Sequence, residues 1–102
     1  MSATRHKSYD ETLLTALKDP LEAAAYIEAV MEMQEPAALV VALRKVAQAH
    51  GMAEVARRAD VGDKTLFRAL SEGGNPTLAT VHKVLHAVGL RLSVVPELEN
   101  TG

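Results

Sequence analysis

The chain has 102 residues, which suits one domain with a modest core and leaves little of it for a catalytic cleft. Hydrophobic residues make up 48% and aromatics only 3%, with no Trp, so disorder is excluded and the core must be aliphatic and Ala-rich, a mixture that favours close-packed helices. The absence of Cys excludes disulfides, thiolate metal sites and thiol nucleophiles, and the net charge of −2 says nothing until it is divided along the chain.

That division is uneven. Residues 1–43 carry Arg5, Lys7 and Lys18 against Asp10, Glu11, Asp19, Glu22, Glu28, Glu32 and Glu35, a net −4. Residues 44–83 carry Arg44, Lys45, Arg57, Arg58, Lys64, Arg68 and Lys83 against Glu54, Asp60, Asp63 and Glu72, a net +3. Residues 84–102 return to −1. An acidic front and a basic middle point to two surfaces with different partners, although short windows also fluctuate in charge without purpose. The polar start MSATRHKSYDETL has no apolar signal core, and no apolar run approaches a membrane span, so a cytoplasmic protein is expected.

Residues 1–9 read as a flexible lead, 10–95 as one helical domain and 96–102 as a tail. Asp10 can cap a short helix through Leu17, with Leu13, Leu14 and Leu17 as its stripe. Asp19-Pro20-Leu21-Glu22 is a strong start signal, with a capping residue, Pro at the first helical position and Glu at the third. The helix it opens should run to about Met33, with Ala23, Tyr26, Ile27 and Val30 inward. Pro36 opens the next helix. Leu39, Leu43, Val46 and Ala47 fall on one of its faces, and Gly51 ends it. Two short helices follow, at about 53–59 and 63–71, separated by Asp60-Val61-Gly62. Gly73-Gly74-Asn75-Pro76 is the clearest loop. Thr77 can cap a last helix with Leu78, Val81, Leu85 and Val88 as its stripe, ended by Gly89. Leu90–Val95 alternates briefly and predicts one short strand before Pro96.

The pair of short helices carries the functional pattern. A helix-turn-helix over 52–71 needs a small residue where its helices cross, and Ala56 stands there. It needs apolar pins, supplied by Val55, Ala59, Val61, Leu66 and Ala69. It also needs a residue that tolerates positive φ in the turn. Gly does this most cheaply, and Asp60 occupies the position at some steric cost. An Ala-rich hairpin without nucleic acid would satisfy the same offsets. What favours DNA is the outer face of the second helix, where Lys64, Thr65 and Arg68 project with Asp63 near its start. Arg57 and Arg58 lie on the preceding helix, which in such units crosses the phosphate backbone. Asn75 and Thr77 become candidate phosphate contacts if the loop, with the free N–H groups that open the last helix, does more than punctuate.

The run GMAEVARRADVGDKTLFRALSEGGNPTLATVHKVLHAVGLRL resembles the Xre, or lambda-repressor-like, helix-turn-helix. Taken with DPLEAAAYIEAVME and ALVVALRKVAQAHG upstream, the chain over about residues 10–95 resembles the addiction-module antidote proteins, the HigA-like antitoxins. Asp60 and Gly62 depart from that pattern, which favours Gly and Ser there. The elements and the resemblance together predict an all-α, five-helix lambda-repressor-like helix-turn-helix domain with a short C-terminal β-strand. The resemblance implies a type II antitoxin that neutralises a RelE/HigB-like toxin and represses its own operon by binding double-stranded operator DNA, most readily as a homodimer. A solitary Xre-type regulator and a protein-interaction module without DNA binding are the alternatives, and no enzyme is expected. His82 and His86 have the i, i+4 spacing of a metal pair but lack the company of further ligands, so no metal or other cofactor is expected. Met31, Met33 and Met52 are expected to fill the core or end helices rather than to form an interaction surface.

Overall fold

The computed structural model describes residues 10–97. The expected lead at 1–9 and all of the tail beyond residue 97 lie outside the described residues.

Helix α1 covers residues 10–16, and Leu17 in the turn after it is buried. Helix α2, Pro20–Met31, starts where the sequence signals it: Asp19 is the N-cap and its carboxylate accepts from the Leu21 N–H at 3.0 Å. Helix α3, Pro36–His50, again has Pro in its first turn, and buries Ala42, Leu43, Val46, Ala47 and Ala49. Helices α4, Met52–Ala59, and α5, Asp63–Ala69, follow, and α6, Leu78–Ala87, closes the helical part. Thr77 caps α6, its hydroxyl accepting from the Thr80 N–H at 3.1 Å.

Helix α2 packs on α3, α3 on α4, and α4 on both α5 and α6. The core is aliphatic, as the composition requires, and runs from Leu17 through Val46, Val55 and Leu66 to Val84 and Val88. Small residues let the helices approach closely: Ala23, Ala42, Ala47 and Ala56 are each 1% exposed or less. Among the described residues no helix is long and apolar enough to cross a membrane.

Three expectations need correction. The described residues form six helices rather than five: the short helix expected from Asp10 does form, over residues 10–16, and it stands in addition to the five of the lambda-repressor-like expectation. The C-terminal β-strand is not formed. Its alternation is real, since Leu90 and Leu92 pack against the core while Arg91 and Ser93 face out. A strand nevertheless needs a neighbouring backbone to pair with, and among the described residues every other regular element is a helix. Leu78, expected inside the last helix's stripe, is 68% exposed. It sits at the first position of α6, where it borders an apolar groove with Met31 and Leu39.

Candidate nucleic-acid interface

The turn between α4 and α5 is built by one residue in an uncommon conformation. Asp60 adopts φ 57° and ψ 48°, the left-handed region that non-Gly residues occupy at a cost and that Asp tolerates better than most. This lets the Val61 N–H turn back onto the Ala56 carbonyl at 3.0 Å and closes α4 within one residue. Gly62 is extended and leads directly into α5, its carbonyl accepting from Leu66 N–H at 2.9 Å. Val55, Ala56, Ala59 and Leu66 are buried at the crossing, and Val61 and Ala69 are half-buried. Ala56 thus stands where a close crossing needs a small side chain.

Helix α5 has two unlike sides. Leu66 and the following Leu70, four residues apart, are each 1% exposed and anchor it. Lys64 and Arg68, also four residues apart and so on one face, are exposed, as are Asp63 and Thr65. Among the described residues, neither Lys64 nor Arg68 is held in an ion pair. The structure therefore brings Asp63, Lys64, Thr65 and Arg68 together as exposed residues of one short helix.

The cations of α4 are arranged differently. Arg57 Nε donates to Glu54 Oε1 at 3.1 Å, and Arg58 Nε donates to Glu54 Oε2 at 2.8 Å. Hydrogen bonds from Arg57 first, then Arg58, hold the Glu54 carboxyl below its usual pKa, and the same bond from Glu54 raises that of Arg57. Arg58 also reaches the Ala87 carbonyl near the end of α6 at 3.3 Å, tying α4 to that helix. Both arginines remain exposed, but each already has an internal partner.

After α5 the chain folds back tightly. A Cβ on Gly74 would lie 2.3 Å from the Ala69 carbonyl oxygen and 2.7 Å from that of Arg68, so only Gly fits. Asn75 and Thr77 are both exposed beyond this turn, and the Thr77 hydroxyl is committed to capping α6. His82 and His86 are exposed on α6, and no cluster of three or more metal-ligating side chains occurs among the described residues.

Two residues of this region are not singled out by sequence pattern. Arg44, on α3, donates to the Leu70 carbonyl at 3.0 Å and so fastens the C-terminal end of α5 to the core helices. Its only sequence signal is a cation on a helix otherwise rich in apolar residues. Phe67 stands 62% exposed on α5, between the positions of Lys64 and Arg68. An aromatic residue beside a basic face was its available signal.

These features define a small, all-helical protein whose α4–turn–α5 pair is compatible with a helix-turn-helix. A family model described as probable addiction module antidote protein matches residues 7–96, and the chain belongs to that family. Membership implies an antitoxin role with a cognate toxin as partner. An uncharacterized protein of Haemophilus influenzae is 36% identical over 73 residues, covering 72% of this chain and 75% of the relative. No solved structure matches the chain.

Proposed function

We propose that this antitoxin binds operator DNA sequence-specifically, with α4 and α5 as a helix-turn-helix of Xre type and α5 as its recognition helix. The observation that carries the reading is the two-sidedness of α5, which buries Leu66 while Lys64, Thr65 and Arg68 face out, the two cations without an ion pair among the described residues. A recognition helix enters the major groove with its N-terminal half, where Asp63, Lys64 and Thr65 stand. Arg68 lies one turn further and can bridge guanine O6 and N7, while Thr65 can hydrogen-bond a base edge or meet a thymine methyl. Arg57, Arg58, Asn75 and Thr77, all exposed, are the candidate phosphate contacts. Their contribution is charge or hydrogen bonding without sequence preference.

The protein represses its own operon in this reading and neutralises a RelE/HigB-like toxin. The acidic front supports a contact with a basic toxin: residues 19–35 hold Asp19, Glu22, Glu28, Glu32 and Glu35 and no Lys or Arg. It acts as a homodimer, because one short helix reads few base pairs and paired half-sites stand about 34 Å, or a multiple, apart. The segment Leu90–Val95, which pairs with no strand among the described residues and leaves Val94 95% exposed, is the candidate dimer contact.

Titration of the protein against its own promoter duplex at several salt concentrations tests the DNA reading. The wild type should bind that duplex at least a thousandfold more tightly than scrambled DNA, within the range of about 10³–10⁷ for specific binders. Equal binding of a Lys64→Ala, Arg68→Ala double variant and the wild type would make α5 the wrong face. A pure interaction module would bind no duplex at all.

A further inference from the structure

Phe67 is the only Phe in the chain, and it is left in water on α5 although the buried flank formed by Leu66 and Leu70 lies beside it. A single exposed apolar side chain is ordinary in itself. This one has company. Phe67, Met52 and Ala53 wall an open notch of about 260 Å³ between the start of α4 and the outer side of α5, and Asp63 and Lys64 complete it. The notch is thus continuous with the face assigned to base reading. Its Phe67, Met52 and Ala53 walls are apolar where a purely phosphate-binding surface would be polar.

We propose that this notch receives the C5-methyl group of a thymine, with the Phe67 ring as its main wall. The proposal rests on the DNA-binding reading and deepens it by naming a base. The chemistry selects the ligand. Among the base edges of the major groove, the thymine methyl is the apolar group, whereas the others present hydrogen-bond donors and acceptors. An apolar wall gains by covering that methyl and loses by desolvating a polar edge. The Asp63 carboxylate at the same notch is an acceptor only, so it is served by an amino donor on a neighbouring base, such as adenine N6 or cytosine N4. It does not itself select thymine, whose O4 is an acceptor like the O6 and N7 of guanine. Lys64, which lines the notch and also faces outward, neutralises charge as the helix enters the groove.

Replacing thymine by uracil removes the methyl and changes nothing else on the base edge, so it isolates the contact. The probe is a duplex enriched by the wild-type protein from a random-sequence library, with each thymine exchanged in turn for uracil. At one thymine per half-site the exchange should weaken wild-type binding about fourfold, the worth of one buried methyl-sized group. Phe67→Ala should bind the parent duplex more weakly and show no further loss on that exchange. Phe67→Leu, which keeps an apolar wall, should retain part of the discrimination. Because Phe67 is exposed, both variants should melt like the wild type, which separates a lost contact from a lost fold. Unchanged thymine-over-uracil preference in Phe67→Ala would overturn the proposal while leaving DNA binding intact. Failure of the wild type to enrich any sequence would instead overturn the DNA reading, and this inference with it.

Discussion

Helices α4 and α5 are neighbours of nearly equal length, and each carries two exposed cations. On α4, Arg57 and Arg58 converge on the one carboxylate of Glu54, and Arg58 also grips the Ala87 carbonyl. On α5, Lys64 and Arg68 share an outer face and, among the described residues, no carboxylate claims them. Four cations that look alike in the sequence are therefore two kinds. Those of α4 hold the scaffold and lend a partly compensated field, and those of α5 are available to a partner. Charge that can act on a polyanion is the charge left after internal pairing.

The strongest way to break this contrast is to remove what holds α5 up. Leu66→Ala deletes a fully buried anchor and should cost about 2–5 kcal/mol of stability. Urea unfolding would show it as a lower midpoint with little change in slope, and all α5-dependent binding would weaken with it. A retained midpoint would mean that α5 is not anchored by Leu66. Next in size is Arg68→Ala, which should leave the midpoint alone, cost about 1–3 kcal/mol of operator binding and relax preference at one base position. Base-by-base substitution of the operator would reveal that relaxation.

The pairing on α4 can be sharpened by releasing it. Glu54→Gln frees two guanidinium groups from their shared anion. It should raise affinity for all duplexes alike and steepen the salt dependence by about one unit for each arginine that gains a phosphate. An unchanged slope would show that α4 stays off the backbone of the nucleic acid.

The smallest effect concerns pH. His50 ends α3 with its Nε2 sealed from solvent and lacking a hydrogen-bond partner among the described residues. Burial above all, then Arg58 and Lys18, lowers its pKa from the usual 6.5. The unfolded chain therefore takes up this proton more readily than the fold does. Stability is whole above about pH 6.5 and should decline as pH falls from there through the lowered pKa. Urea midpoints at pH 7.5 and 5.5 should differ more for the wild type than for His50→Gln. Equal differences would remove His50 as the cause.

How much of this was legible beforehand depends on how local the cause is. Asp19 before Pro20, and Thr77 before Leu78, act on amides two or three residues away, so the caps they form could be read from the string. Asp60 was readable for the same reason, since its backbone preference belongs to the residue itself. The face of α5 followed from helical period once Leu66 was taken as inward. The resemblance to addiction-module antidote proteins agreed, at that level, with the antidote family that matches residues 7–96. What escaped depends on distant chain. Arg44 meets the Leu70 carbonyl across 26 positions, and no period announces such a bond. Alternation at Leu90–Val95 placed side chains correctly and misjudged the backbone, because alternation does not supply a second strand. Leu78 fitted the stripe of α6, but its place at the helix start leaves it at the rim of a groove.

The brevity of α5 sets the terms on which the DNA specificity proposed for it could be moved to another protein. Seven residues fall well short of the roughly 12–15 that an isolated helix needs to persist in water. Its shape is borrowed from outside, through Leu66 and Leu70 in the core and the Arg44 bond to its last turn. A synthetic peptide of this segment would be a featureless chain, and a swap of the whole helix would tear out its own foundations. The unit that can be transplanted is smaller than a helix: the side chains at 64, 65, 67 and 68, written onto a host that keeps its inward leucines. Retargeting becomes a matter of repainting one outer surface, with the carpentry beneath it left untouched.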